Sequence, residues 1–139
     1  ASADAIISSS ASPAAVSEAR FTKAKALEAD GHVDEAIAIW KEMADDTSEL
    51  FGAKSAFEAA SALHEAKRNK EALDIAQKFV QSGSPHRYWV ARGFILISDI
   101  YSAQGKDFEA REYLEALRDN YPGSEPDIFM MIESRLSDK

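Results

Sequence analysis

Apolar side chains recur three and four residues apart along most of this chain, the spacing that lines one face of an α-helix. Ala36, Trp40 and Met43 form one such stripe, Ala72, Ala76 and Phe79 a second, and Ala110, Leu114 and Leu117 a third. The stripes are interrupted at Gly31, Gly52, Gly83 to Pro85, Gly105 and Pro122 to Pro126, where breakers of regular structure cluster. The pattern predicts helices over residues 13–30, 33–46, 50–66, 69–82, 85–103, 107–120 and 126–137. Composition points the same way. There are 25 Ala against four Val and two Thr, so good helix formers far outnumber the β-branched residues that favour strands. Ser12-Pro13 suits a helix start, since Ser caps a free N–H and Pro has none to leave unsatisfied in the first turn. Residues 1–12, mostly Ala and Ser around Ile6 and Ile7, show no period and read as a flexible lead-in to a domain spanning 13–139.

A six-residue frame ending in Glu-Ala occurs three times, at Gly31 to Ala36, Lys67 to Ala72 and Gly105 to Ala110, spaced by 36 and then 38 residues. Before each frame stand a small residue (Ala24, Ala60, Ser98) and, three positions on, a larger one (Leu27, Leu63, Tyr101). A small residue lets two helix axes approach while its large neighbour fills the groove beside it. Each unit is therefore expected to be a helix, a tight turn and a second helix. One such hairpin cannot bury both its faces, so the expected fold is all-α: a right-handed superhelix of three stacked helix pairs, over about 17–50, 53–86 and 91–124. The final helix, 126–137, should close the stack with Ile128, Phe129, Ile132 and Leu136 inward and Glu133, Arg135 and Asp138 towards solvent.

The small residue, the Leu or Tyr three on, the turn Gly, the Glu-Ala and the late Pro resemble the tetratricopeptide repeat pattern over roughly residues 14–124. The third unit resembles it most, with Ser98, Tyr101, Gly105, Ala110 and Pro122 at matching offsets; the second has Lys67 in place of the turn Gly. The resemblance implies a solenoid whose first helices line a concave groove for a protein or peptide. The tail Tyr121-Pro122-Gly123-Ser124 and the run from Tyr88 to Tyr101 also resemble the carboxy-terminal part of bacterial cell-envelope proteins of this family. That likeness implies a periplasmic or envelope location and the end of a longer solenoid, with a cytoplasmic location as the alternative. The chain opens on Ala rather than Met, in keeping with a trimmed piece.

Charge narrows the partners. With 24 acidic against 16 basic residues the net charge is −8, which repels a phosphate backbone and argues against nucleic acid. No apolar run reaches the roughly 18 residues of a membrane span. The absence of Cys excludes disulfides, thiol chemistry and Cys-ligated zinc.

Catalytic readings find little to stand on. His32 and His86 fall at turns and His64 within a helix, so no two share the i, i+4 spacing of a helical zinc site. Were a metal held, His64 with Asp99 and Glu28 on successive first helices would be its corner. There is no Gly-x-Ser-x-Gly elbow and no phosphate loop. Asp34-Glu35 suits the positive end of a helix dipole, and Trp40 and Phe94 suit the core, whereas Trp89 beside Tyr88 and Arg87 also suits a contact surface. No enzyme activity and no cofactor are expected.

Counting one face of each first helix gives Glu18, Phe21, Lys25 and Glu28, then Lys54, Phe57, Ser61 and His64, then Arg92, Ile95, Asp99 and Ser102. Lys25, Lys54 and Arg92 offer charge and Phe21, Phe57 and Ile95 apolar contact, a combination suited to an extended peptide or a partner's helix. The carboxylate-gripping set of cochaperone repeats is missing, because Lys25 and Glu58 stand where the family has Asn and Leu96 where it has Arg. The expected function is a non-catalytic protein-binding scaffold. The alternatives are a structural end-cap or self-association module, whose exposed apolar edges pair with an identical or preceding unit, and a metal-dependent hydrolase around His64; separately, the acidic first unit is expected to dock an upstream repeat.

Overall fold

A computed structural model describes residues 12–137 of the 139, all its regular structure being helical: α1 (Pro13–Ala29), α2 (Val33–Met43), α3 (Leu50–Glu65), α4 (Asn69–Val80), α5 (Arg87–Ala103), α6 (Asp107–Asn120) and α7 (Pro126–Ser137). The lead-in expected over 1–12 lies, apart from Ser12, outside the described residues. Ser12 caps α1 as expected, its hydroxyl accepting from the Ala15 N–H at 3.2 Å with Pro13 in the first turn. Three helices, α2, α4 and α5, are shorter by two or three residues than the periodicity suggests. After α2 the chain turns at Ala44 to Asp46, where an Asp46 carboxylate oxygen accepts from the Ser48 N–H. Before α5 it is held extended by Ser84 and His86, which bond to the carbonyls of Thr47 and Ser48. Because that His86 contact is to a carbonyl, Nε2 carries the proton.

The turn inside each hairpin is the same device used three times. His32, Arg68 and Lys106 each donate a backbone N–H to the carbonyl five residues back, at Leu27, Leu63 and Tyr101, all at 2.8 Å. Gly31, Lys67 and Gly105 bond to Glu28, His64 and Ser102, completing the double bond pattern of a left-handed helix stop. Those three residues have φ of 89°, 63° and 77°. Lys67 thus adopts the left-handed conformation without glycine's freedom, at a cost of roughly 1 kcal/mol. The carbonyls of His32, Arg68 and Lys106 then accept from Ala36, Ala72 and Ala110 and start the next helix. The Ala of each Glu-Ala landmark is fully buried at that point, which explains why the frame recurs.

Neighbouring helices pack in sequence order, and the odd-numbered helices also touch one another: α1 with α3, α3 with α5, α5 with α7. Among the described residues no helix contacts another more than two steps away, so α1 and α7 never meet and the array is open. It is a helical-repeat solenoid, not a closed bundle. Among the described residues the backbones of the even-numbered helices stay further apart, α2 meeting the start of α4 through side chains such as the Asp34–Arg68 pair at 2.9 Å. Closer spacing on the odd side curves the array towards α1, α3 and α5.

The main core joins Ala24, Ala36, Ala59, Ala60, Ala72 and Ala76 to Ile37, Trp40, Leu63, Leu96, Ile97 and Ile100. A buried methyl contributes only about 0.8 kcal/mol. The alanines therefore act mainly by letting helices approach, and Trp40, Leu63, Ile97 and Ile100, with almost no exposed surface, supply the bulk. Gly52 marks the tightest approach. A Cβ there would lie 1.8 Å from the Asp46 carbonyl oxygen, so only glycine lets the α2–α3 connection cross the start of α3.

Candidate functional site

The inner face is built on α1, α3 and α5, and its most distinctive part lies towards the starts of α3 and α5. Lys54 stands with its ammonium 4.9 Å from the Phe51 ring centre, 5.1 Å from Phe21 and 5.6 Å from Trp89. Arg92, its equivalent one repeat later, sits 4.8 Å from Phe57, 5.8 Å from the same Trp89 and 5.9 Å from Tyr88. The rings contact each other as well: Phe21 with Phe51 at 5.5 Å, Phe57 with Trp89 at 5.7 Å, and Trp89 edge-on to Tyr88 at 5.2 Å. Trp89 is anchored from below by Ala53, Ala56 and Phe79. The result is a half-exposed aromatic shelf carrying two cations that share one indole.

These two cations differ electrostatically from the third. Lys25 bonds to the Glu58 carboxylate at 3.1 Å and lies 3.8 Å from Glu28. Burial opposes its charge, but the hydrogen bond and attraction of Glu58, with help from Glu28, outweigh that and raise its pKa. Lys54 has no carboxylate within ion-pair distance among the described residues, and Arg92 donates only to the Tyr88 hydroxyl, at 3.2 Å. A cation over an exposed ring gains about 0.5–1 kcal/mol and keeps its N–H donors. Both therefore remain able to bind an anion.

Towards the helix ends the face changes character. A cleft of about 610 Å³ runs between α1, α3 and α5, bordered by Glu28, Glu58 and Glu65 as well as by Lys25, Phe57, Ser61 and Arg92. Beyond it, α7 covers the third unit. Ile95, expected to offer open apolar contact, is 3% exposed, packed with Ile128, Ile132 and Leu136. The two Asp99 carboxylate oxygens accept from Arg135 Nε and Nη2, one edge of its guanidinium, at 2.7 and 3.0 Å. Arg135 therefore turns inward, where a solvent-facing position was expected; Asp138 lies outside the described residues. Ile128, Ile132 and Leu136 are buried as expected, whereas Phe129, expected inward with them, is only partly buried, its ring tilted against Tyr121 at 5.8 Å.

The proposed metal corner does not assemble. His64 Nδ1 is 2.8 Å from the Asn69 side-chain oxygen, Asp99 belongs to Arg135, and Glu28 lies beside Lys25. No group of three or more metal-ligating side chains converges among the described residues.

Of the sequence-derived face, Phe21, Lys54, Phe57 and Arg92 come together on the shelf, with Ser61 and His64 beside the lower clefts. Phe51 was not among those candidates. The signal that finds it is register: Phe51-x-x-Lys54-x-x-Phe57 and Trp89-x-x-Arg92-x-x-Ile95 are the same positions 38 residues apart.

An open stack of hairpins with an accessible inner face defines a helical-repeat protein. Residues 94–124 match the tetratricopeptide repeat family model, so the third hairpin carries the match, including Ser98, Tyr101, Gly105, Ala110 and Pro122. The family that this hairpin matches is a class of protein–protein interaction modules that is generally non-catalytic. No curated protein and no solved structure matches it significantly. No described helix is long and apolar enough to cross a membrane.

Proposed function

We propose that this chain is a non-catalytic scaffold that receives a peptide or a segment of a partner protein on the inner face of α1, α3 and α5. The observation that carries the reading is the shelf of Phe21, Phe51, Phe57 and Trp89 with Lys54 and Arg92, half-exposed in the middle of an open array. Aromatic and Arg side chains on a rigid, preformed surface are the residues that dominate binding energy at protein interfaces. The helices fix the shelf in place, so little ordering entropy opposes binding. The envelope location implied by the sequence resemblance belongs to the same proposal, and fractionation of the native source would check it.

A photo-crosslinker at Ser61, inside the face, compared with one at exposed Glu112 on α6, tests the surface used. Adducts with a partner protein are expected from Ser61 alone. Equal adducts from both positions would overturn the reading.

A further inference from the structure

Resting on that reading, we infer that the end of the inner face formed by the starts of α3 and α5 selects an acidic segment of the partner, whose side-chain carboxylates are held by Lys54 and Arg92. The argument is one of charge left uncompensated. In a chain of net charge −8, acids are plentiful, and the other basic groups on this face are matched by them: Lys25 by Glu58 and Glu28, Arg135 by Asp99. Lys54 and Arg92 are brought against the same Trp89 ring and neither forms an ion pair with a described carboxylate, Asp127 being linked to Arg92 only through the Tyr88 hydroxyl, which accepts from Arg92 at 3.2 Å and donates to Asp127 at 2.6 Å. Two like charges at one indole repel each other, and a bridging anion removes that repulsion.

Local geometry adds to the preference. The aromatic floor excludes water from one side of each cation and strengthens its attraction for a carboxylate above. Glu28, Glu58 and Glu65 border the lower cleft and repel an acidic segment there. They therefore set its position along the shelf, crossing from α3 to α5. The segment needs apolar side chains between its acids to cover Phe51, Phe57 and Trp89.

The test uses the full chain and two short fluorescent peptides of identical apolar residues, one with Glu and the other with Lys at the remaining positions. Binding is read by anisotropy and by indole emission, with Trp89→Phe identifying the signal that comes from the shelf. The Glu peptide is expected to bind, to change Trp89 emission, and to weaken about tenfold or more in Lys54→Gln/Arg92→Gln, whose thermal unfolding by circular dichroism confirms an intact fold. Raised salt should weaken it likewise. If the Lys peptide binds as well and also reports through Trp89, the face is a receptor but the acidic selection is wrong. If the Glu peptide binds without moving Trp89 emission and ignores the double substitution, the inner face itself is wrong. If neither peptide binds, the acidic selection falls.

Discussion

The middle and third hairpins place equivalent residues in different surroundings. Phe57 and Ile95 occupy the same register position, yet Phe57 stays half-exposed between Trp89 and Arg92 while Ile95 is buried under α7. Lys25, Ser61 and Asp99 are equivalent too: one pairs with Glu58 on α3, one borders an open cleft, and one is claimed by Arg135. A repeat register therefore tells which way a side chain points, and the neighbour stacked on top decides whether it meets solvent. The third hairpin lies beneath α7, so its apolar position became core and its acid became a tether.

Truncating the two equivalent apolar residues gives the largest effect and the most direct way to break this comparison. Ile95→Ala should cost about 3 kcal/mol in urea unfolding, because it leaves a cavity among Ile128, Ile132 and Leu136. Phe57→Ala should cost less for its size, about 2 kcal/mol, as part of its ring stays in water. Equal losses would mean that α7 does not bury the third unit.

The same logic separates two arginines. Arg135→Ala should destabilise by about 1 kcal/mol, an effect shrinking in high salt, since the Asp99 pair is forked but each side chain remains near one-third exposed. Arg92→Ala, which breaks no ion pair, should stay within about 0.5 kcal/mol of the parent. A larger loss at Arg92 than at Arg135 would reverse the assignment of tether and shelf.

The smallest expected change compares the hairpin turns. Lys67→Gly should stabilise by about 0.5 kcal/mol, relieving left-handed strain in the second turn while giving back some unfolded-state entropy. Gly105→Ala should destabilise by about 1 kcal/mol in the third turn, where φ is 77° and nothing crowds the added methyl. Melting temperatures that move the other way would show that the two turns are not the same device.

Much of the architecture was legible because its causes are local. The Gly31, Lys67 and Gly105 turns, the buried Ala after each Glu and the stripes through Trp40, Phe79 and Leu114 all arise within one hairpin, where sequence spacing and spatial distance nearly coincide. The site was legible in part. Lys54, Phe57 and Arg92 follow from the helical period once the repeat is set. Phe51 and Tyr88 sit at the starts of helices; the role of Phe51 depends on Phe21 arriving from the preceding unit, and Tyr88 is placed by Trp89 beside it and by Asp127 of α7. Arg135 looks solvent-facing from its charge, but it stands three residues after Ile132 and seven after Ile128, beside the apolar stripe, and its long side chain reaches an acid 36 residues earlier.

By itself the amino-acid order determined that the chain is helical, where its hairpins turn and which face of each helix is apolar, because hydrogen-bonded turns and a 3.6-residue period act over a few residues. Only the tertiary structure decided which of those faces remained open, bringing Lys54 and Arg92 to one indole and laying α7 over Ile95 and Asp99. Exposure and ion pairing depend on what a neighbouring element leaves uncovered, and that is a property of the stacking as a whole.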